Sequence, residues 1–384
     1  MGVSTADPIK ESALSSKRFG AAARAAVRAA PAPVPAGDDY TVEVLSAPAE
    51  LAELRGAWDR LSADFRGPGN HLEWLIAVAH APPSGCRLCV VVLRQEGRPV
   101  GAAPLLRMQG AVGGCRLVND QDASGFRYAD EAALALLVRA VLGLRRPLSL
   151  RSVVAGSPTD RALAKQPRSS TLRFAQVWQM GPSLEADDAL ADPMSRLSKS
   201  RRKSLRRSQR KVAALGELTF HVERVSDDLD AQFDEFVRLE GSGWKVRAGT
   251  ALCVDEPQRE TLRRFVGATA VRDDVRFAKL CVDGRSIAVE LVAVSDGGLW
   301  ALKGGYDESY REYSPGLLLE LRLMGWAYEE GLERFELMGE MEDWKRPFGE
   351  GRTLRHVRLY PLSPRGIAGL SKDAAMKAWR DLRE

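Results

Sequence analysis

The chain has few cysteines and few histidines, and each scarcity disfavours a class of protein. Its five cysteines among 384 residues are too scattered for a disulfide framework. Cys86 and Cys89 have the spacing of a zinc-ligand pair, but the apolar segment around them, CRLCVVVLR, is typical of a buried strand. The four histidines are far apart, and neither a His-Glu-x-x-His run nor a Gly-x-Ser-x-Gly run occurs. We therefore expect no metal, and neither a metal hydrolase nor a serine esterase.

Long apolar runs and a signal-peptide pattern are also lacking. No run of 18 apolar residues occurs, so we expect no membrane span. The first residues lack the basic, apolar and small-residue order of a secretory signal. Together with the sparse cysteines, this indicates a protein of the reducing cytoplasm. The net charge of +5 is only a mild indication of an anionic partner.

The order of predicted elements divides the chain into four parts. Residues 1–38 are rich in Ala and Pro and are predicted to be a disordered tail. Residues 39–184 alternate helices and strands, residues 185–216 are a basic helical linker, and residues 217–384 form a second domain of similar content. We predict an α+β (or α/β) fold, in which mixed twisted sheets are flanked by helices.

Two hairpins in the sequence match each other. The first reads VVVLRQEGRPVGAAPLL and the second FAKLCVDGRSIAVELVA. Each has an acidic residue, Gly and Arg at its turn, and each follows a helical stretch associated with a tryptophan. The shared order of strand, two helices and hairpin indicates a duplication that gives two similar domains side by side.

The stretch 299–339 organises the second domain. It contains a short strand that ends at Lys303, a tyrosine-rich loop, and a helix that starts at Ser314-Pro315-Gly316-Leu317. Ser is a favoured N-cap, and Pro suits the first helical position. A parallel strand follows, which makes a βαβ unit. The free N–H groups of such a helix start suit an anion, especially a pyrophosphate, that Lys303 could also contact; a surface lysine on an edge strand is the alternative.

The segment 196–211 is strongly basic: nine of its sixteen residues are Lys or Arg, and none is acidic. One interpretation is a solvated helix that joins two domains through a thin apolar edge. The other is a phosphate-binding helix for RNA, a nucleotide-sugar or CoA phosphates. We weigh the two equally and take Arg202 and Arg206 as substrate-binding candidates.

The order of elements resembles the GCN5-related N-acetyltransferase (GNAT) fold in its tandem form, in particular the CelD-like and FemAB-like group. The resemblance covers roughly residues 40–362 and is strongest in SKSRRKSLRRSQRK, LEGSGWK, VDGRSIAVEL, LKGGYDESYREYSPGLLLE and EDWKRPFG. It implies two GNAT-like domains in tandem, the first degenerate, joined by the basic helix. The chain departs from the family where Tyr313-Ser314-Pro315-Gly316 replaces the usual Gln/Arg-x-x-Gly-x-Gly/Ala run.

The resemblance implies an N-acyltransferase that moves an acetyl or other acyl group from acyl-CoA to an amine, such as a cell-envelope or polysaccharide precursor. FemAB-like relatives instead use aminoacyl-tRNA, in which case the basic helix would contact RNA. The third interpretation is a non-catalytic module that binds phosphate or RNA with the same fold.

Four residues are candidates for proton transfer. Glu290 is the only charge in the apolar run SIAVELVAV, and a half-buried carboxylate has a raised pKa that suits a general base. An edge position or a salt bridge explains it equally well. Tyr306, with Tyr310 second, could protonate a leaving thiolate, although packing of the loop against the helix is the alternative. Asp343 follows the last strand of the βαβ unit and could act as base or hold an ammonium group, although a polar surface loop explains it about as well.

Three further residues are candidates for contact with the acceptor. Trp244 lies where GNAT folds cover the acceptor, although a tryptophan is more often part of a core. Glu340 could hold an ammonium group, and Lys345 could bind an acceptor phosphate. A polar surface loop explains the last two residues about as well.

Overall fold

A computed structural model of the chain describes residues 39–64, 67–109, 115–119, 125–272, 274–349 and 351–382, so the predicted tail, 1–38, lies outside the described residues. The strands are β1 (Tyr40–Leu45), β2 (Ser62–Ala63), β3 (Cys86–Gln95), β4 (Arg98–Gln109), β5 (Cys115–Val118), β6 (Arg127–Tyr128), β7 (Leu148–Val154), β8 (Thr171–Gly181), β9 (Ser183–Glu185), β10 (Leu218–Arg224), β11 (Val275–Val282), β12 (Arg285–Ser295), β13 (Gly298–Tyr306), β14 (Arg334–Glu336) and β15 (Arg352–Pro361). The helices are α1 (Pro48–Ala52), α2 (Arg55–Trp58), α3 (Leu72–His80), α4 (Glu131–Gly143), α5 (Pro158–Ala164), α6 (Asp188–Ala191), α7 (Lys199–Ala213), α8 (Leu229–Glu240), α9 (Trp244–Ala248), α10 (Glu256–Thr269), α11 (Pro315–Glu329) and α12 (Pro364–Asp381).

The strands form two mixed sheets that share the same order at their core. The first sheet runs β1-β3-β4-β5-β7-β15-β8, with β6 beside β4 and β2 beside β6, and the second runs β10-β11-β12-β13-β14-β9. In each sheet, four antiparallel strands are followed by a long helix and a parallel strand. Helix α4 precedes β7, and helix α11 precedes β14. The predicted α+β fold with two similar units is confirmed.

The two matching hairpins close through the same two-residue turn. Glu96 and Gly97 have φ angles of 48° and 77°, and Asp283 and Gly284 have φ angles of 48° and 76°. Positive φ at both central positions defines a type I′ turn, whose twist fits a pair of antiparallel strands. The acid–Gly pair that occurs twice in the sequence therefore marks a turn in which both central residues have positive φ angles.

The two sheets exchange strands at their far edges. Strand β15 pairs with β7 and β8 of the first sheet, whereas β9 pairs with β14 of the second. Arg352 of β15 ties the exchange together, because it lies 2.5 Å from the Glu336 carboxylate and donates to Ser183 Oγ at 2.8 Å. Each sheet thus contains strands from both sides of the predicted linker, 185–216, so that linker does not separate one sheet from the other.

Helices cover both faces of the second sheet. On one face, α8 and α10 bury Phe233, Phe236 and Phe265 in a core that also contains Trp58 and Trp74 from the first half of the chain. On the other face, α11 and α7 enclose a separate apolar cluster. Helix α4 packs on the first sheet in a third cluster. The two halves of the chain therefore share one core on the α8 side of the second sheet.

The predicted basic segment contains helix α7. The Ser198 hydroxyl accepts a hydrogen bond from the Arg201 N–H and caps its start. Leu197, Leu205 and Val212 are buried and form the predicted apolar edge. Among the described residues, no helix is both long and apolar enough to cross a bilayer.

Candidate functional site

Strands β13 and β14 separate above the start of helix α11. They pair in parallel over three residues each, Gly298–Trp300 with Arg334–Glu336. Strand β13 then continues beside β12, while β14 ends at Glu336. The space between the parted strands, called the gap below, is the candidate site.

An inserted residue in β13 decides which side chains face the gap. Relative to β12, Leu302 is an extra residue. Because side chains alternate along a strand, the insertion exchanges the two faces. Lys303 therefore faces α8, whereas Gly304 and Tyr306 face α11. The sequence predicts a strand that ends at Lys303; this is wrong, because pairing with β12 continues through Tyr306.

Glu290 of β12 lies directly opposite Gly304 of β13. A Cβ atom on Gly304 would stand 1.5 Å from Glu290 Oε2, so the carboxylate occupies the space that the glycine leaves free. Burial raises the pKa of Glu290 to about 7, although Lys245 and Lys345 act to lower it. Strand β12 lies inside the sheet, so an edge position does not explain this charge. A carboxylate of this kind can accept a proton from an ammonium group near neutral pH.

A second carboxylate, Glu320 on the second turn of α11, belongs to the same site. Its Oε2 atom is buried and has no hydrogen-bond partner in the described part of the chain. Burial and the negative charge of Glu290 hold the pKa of Glu320 well above its ordinary value. Sequence analysis missed Glu320, but a signal was present: like Glu290, it is the single charge in an apolar run, LLLEL.

Glu240, at the end of α8, is fully buried and lies close to two lysines. Its Oε1 atom is 3.4 Å from Lys245 Nζ and 3.6 Å from Lys303 Nζ. Lys303 also donates to the Thr250 carbonyl at 3.1 Å and to Gln258 Oε1 at 2.9 Å. The lysine that we expected at the start of α11 is therefore bound on the α8 side of the sheet instead.

Helix α11 begins at Pro315, as predicted, but its cap differs from the prediction. Ser314 is left-handed, with φ 55° and ψ 48°, and its hydroxyl makes no capping hydrogen bond to the described residues. The first-turn N–H groups therefore lack a side-chain cap. Gly316 faces Tyr306, whose Cδ1 would lie 3.4 Å from a Cβ at that position, and Leu317 is partly buried against the apolar cluster.

The equivalent helix of the first repeat, α4, has a side-chain cap at its N-terminus. The Asp130 carboxylate caps it by accepting a hydrogen bond from the Ala133 N–H at 2.8 Å. A negative charge of the chain itself thus stands where an anionic ligand would bind. The two repeats therefore differ at this position: α4 has a side-chain cap and α11 has none from the described residues.

The candidate tyrosines occupy different places. Tyr306 ends β13 on the face that carries Gly304. Tyr310 and Tyr313 lie in the turn before α11, with ring centroids 6.2 Å apart, and pack against the apolar cluster. Tyr306 packs against the same cluster, so the packing interpretation applies to all three tyrosines, and Tyr306 differs from the other two in lying on the strand face that carries Gly304.

The loop after β14 is organised by Lys345, which is 7% exposed. Its Nζ donates to the Met338 carbonyl at 3.0 Å and to the Glu340 carbonyl at 3.1 Å. The Glu340 side chain is exposed, and Asp343 is 98% exposed and pairs with Arg346 at 3.1 Å. The structure brings neither of these carboxylates to the gap, so a polar surface loop describes both.

Helix α7 presents a cationic surface beside the turn that leads to α11. Lys211 lies 3.5 Å from Glu312 of that turn. Arg202 donates to the Ser195 carbonyl at 3.0 Å, and Arg206 is exposed. In the described ranges, the structure gives no acidic partner to the other seven cations of the helix. Trp244 begins α9, but its side chain lies outside the described residues.

Two pockets of the described surface lie away from the start of α11. One, of about 70 Å³, is lined by residues that include His71, Trp58 and Arg272. The other, of about 300 Å³, lies between the end of α3 and the start of α10 and is lined in part by Pro82 and Glu256. Neither includes the start of α11, where the sequence predicts a ligand pocket. Among the described residues, no group of three or more His, Cys, Asp or Glu could hold a metal.

Residues 199–346 match the family model described as Acetyltransferase (GNAT) domain. The chain contains a GNAT domain. The matched range begins with α7 and ends in the loop of Lys345, so it includes Glu290, Glu320 and the start of α11. None of the curated proteins compared with the chain matches it.

Two solved structures have a similar fold over most of the chain. One is the C-terminal domain (DUF2156) of a protein from Agrobacterium fabrum that is named as a lysylphosphatidylglycerol synthetase; it is 13% identical, with a TM-score of 0.51, and the match covers 86% of this chain and 96% of that one. The other is FemX, also 13% identical, with a TM-score of 0.52 and a match over 83% of this chain and 97% of that one. At these identities the likeness shows the fold alone, and it extends beyond the GNAT domain into the first repeat.

Proposed function

We propose that the chain is an N-acyltransferase that moves an acetyl or other acyl group from acyl-CoA to an amine. The observation that carries the proposal is the position of Glu290, which lies against Gly304 of β13, the strand that borders the gap, within the range matched by the GNAT model. A base at this point would face both a donor between the parted strands and an acceptor entering beside it. The five cysteines are free of disulfides, which suits a reaction in the cytoplasm.

Each residue of the gap has a role in the proposed reaction. The diphosphate of CoA binds the uncapped N–H groups at Ser314–Leu317. The acceptor's ammonium group gives one proton to Glu290, and the free amine attacks the thioester carbonyl carbon. The new C–N bond forms as the C–S bond breaks. The nitrogen loses its second proton to water, Glu290 passes its proton to water, and Tyr306 protonates the thiolate and recovers a proton from water.

The acceptor that we propose is an amine of a cell-envelope or polysaccharide precursor, such as an amino-sugar or a nucleotide-linked amine. The exposed cations of α7 lie beside the turn that leads to α11 and would attract an acceptor that carries phosphate. This choice is also motivated by the CelD-like resemblance of the sequence.

A thiol-release assay tests the proposed activity. The full chain is mixed with acetyl-CoA and a panel of amines at pH 7.5, and free thiol is measured. We expect release to depend on an amine and kcat to fall about 100-fold in Glu290→Gln, since general-base catalysis contributes roughly 10²–10⁴-fold. Glu329→Gln, an exposed change on α11, should behave as the unchanged protein. Absence of amine-dependent release with every amine would contradict the proposal.

A second candidate is transfer from aminoacyl-tRNA, and a specific observation favours it. Seven cations of α7 have no acidic partner in the described ranges, which suits a polyanion such as RNA. The name of the Agrobacterium fabrum protein also includes a lysyl group, an acyl group of the amino-acid type. This candidate requires that an aminoacyl-tRNA, and not acyl-CoA, supports turnover.

A further inference from the structure

Glu320 carries an unsatisfied acceptor atom inside the GNAT domain. Its Oε2 atom is buried, and the described residues offer it no hydrogen-bond donor. A buried carboxyl oxygen without a donor destabilises the folded state. Such an atom in a native structure indicates a strained site, a catalytic role, or a donor that arrives as a water, an ion or a ligand.

The side chain of Glu290 approaches the same space from the sheet. Even-numbered residues of β12 around it, Ala288 and Val292, pack in the α11 cluster, so Glu290 also points to the α11 face. Glu320 comes from α11, which packs on β12, and the negative charge of Glu290 contributes to the raised pKa of Glu320. The α11 face of the sheet therefore carries one carboxyl group from β12, and the helix packed on that face carries another.

The lysines around this pair are already hydrogen-bonded to other groups. Lys245 donates to the Gly304 carbonyl and lies 3.4 Å from the Glu240 carboxylate. Lys345 donates to two backbone carbonyls of its own loop. Lys303 lies on the opposite face, 3.6 Å from Glu240. These cations reduce the negative potential of the gap, but their hydrogen bonds go to other acceptors.

We propose that Glu290 and Glu320 together form the subsite for the ammonium group of the acceptor. Glu320 Oε2 accepts one N–H of the bound ammonium and positions it, and Glu290 takes its proton. This inference rests on the proposed acyltransferase function and adds a substrate class to it. The class is an aliphatic amine that is protonated at pH 7, such as an amino-sugar or an aminoalkyl group, and not an aromatic amine or an alcohol.

The arrangement also predicts that a proton is released on binding. Two neighbouring carboxyl groups do not both ionise readily, so the empty pair retains a proton at neutral pH. An ammonium ion between them supplies a positive charge and favours the ionised form of both groups. Binding should therefore displace about one proton into the solvent at pH 7.

Isothermal titration of the full chain tests this subsite without any need for turnover. The probes are glucosamine and ethanolamine, and the matched neutral probes are glucose and ethylene glycol. Each titration is run at pH 7 in phosphate and in MOPS, whose different heats of ionisation report proton release. We expect at least one amine to bind tenfold or more tightly than its hydroxyl analogue, with release of about one proton.

Variants identify the carboxylates. Glu320→Gln should weaken amine binding at least tenfold and abolish proton release, Glu320→Asp should restore part of the affinity, and Glu329→Gln on the exposed face of α11 should change neither. The proposal is overturned if amines bind no better than their hydroxyl analogues, or if Glu320→Gln binds amines as the unchanged protein does. Circular dichroism confirms that each variant is folded.

The titrations and the thiol-release assay together distinguish failure of this inference from failure of the proposed function. If amines bind as expected but acetyl-CoA is never consumed, the acyltransferase proposal fails and the ammonium subsite stands. If acetyl-CoA is consumed with aliphatic amines at an unchanged KM in Glu320→Gln, the acyltransferase stands and the subsite fails.

Discussion

Glu290 Oε2 lies 1.5 Å from the point where any residue other than glycine at position 304 would place its Cβ atom. The same Cβ would also come within 2.8 Å of the Val289 carbonyl oxygen. The carboxylate at the centre of the proposed reaction is thus held against a glycine of the neighbouring strand. This close approach accounts for a glycine inside a paired strand, where glycine ordinarily weakens the sheet.

Gly304→Ala should therefore be strongly harmful. The methyl group must displace both Glu290 and the neighbouring backbone, and we expect a loss of roughly 2 kcal/mol or more in the free energy of unfolding. Thiol release should fall with it. Chemical denaturation and the thiol assay measure the two effects.

Gly325→Ala is the matched control. A Cβ at Gly325 meets no atom within 4 Å, and the residue lies inside helix α11. Alanine there should raise stability by roughly 0.5–1 kcal/mol without loss of activity, because glycine is unfavourable in a helix interior. Equal losses in both variants would contradict the packing of Glu290 against Gly304.

Stability should fall as pH rises through the range in which Glu290 ionises. Its pKa is about 7 in the folded chain, above the 4.5 of an unperturbed Glu, so the folded state holds the proton more tightly than the unfolded state. Folding stability from this group is therefore greatest below about pH 4.5 and decreases as pH approaches 7. Glu290→Gln should be more stable than the unchanged protein at pH 7.5, by roughly 1–3 kcal/mol, with a smaller difference at pH 5.

Thermal unfolding at several pH values measures this effect. Glu329→Gln serves as the control, since its side chain is exposed. A Glu290→Gln variant that is equally destabilised at pH 5 and pH 7.5 would show that the carboxyl group is a paired structural anion and not a group with a raised pKa.

His71 connects the two halves of the chain and should make their contact sensitive to acid. Its Nε2 lies 2.8 Å from Ser295 Oγ at the end of β12, and burial lowers its pKa to about 4. The folded state therefore holds His71 neutral, and stability from this group is present above pH 6.5 and is lost as pH falls towards 4. The loss of melting temperature between pH 7 and pH 5 should be smaller in His71→Asn. His221→Asn, an exposed control on β10, should retain the full loss.

The cations of α7 separate the two candidate donors. Replacing Arg201, Arg202, Arg206 and Arg207 by Ala should weaken an RNA-dependent activity strongly, with a reduced dependence on salt, because phosphate contacts release counterions. An activity that depends on CoA alone should remain nearly intact. Rates with acetyl-CoA and with aminoacyl-tRNA at two salt concentrations give the answer; equal losses of both would show that the helix is structural.

Much of the fold follows from local sequence signals. Apolar periodicity gives α3, α4, α8 and α10, and the acid–Gly pairs at residues 96–97 and 283–284 give both hairpins. The repeat follows from their similarity. These features depend on residues that are close in the chain, which is why sequence patterns reveal them.

The remaining features depend on contacts between distant residues. The exchange of β9 and β15 between the two sheets produces no local sequence pattern, because the residues of a strand do not determine which strand it pairs with. The insertion of Leu302 turns Lys303 away from α11, although the sequence placed that lysine beside the helix start. Glu290 and Glu320 are each a lone charge in an apolar run, but the sequence does not show that the two face each other, because that follows from the packing of α11 on β12.

A binding measurement tests the central claim most directly. The full chain is titrated with acetyl-CoA, desulfo-CoA and bulk tRNA, and the melting temperature is recorded at each concentration. A ligand that binds only the folded state stabilises it by about 2.7 kcal/mol at 100 times Kd. We predict that both CoA compounds raise the melting temperature in a saturable way. No shift with either CoA compound, together with a salt-sensitive shift by tRNA, would contradict the assignment of acyl-CoA as donor.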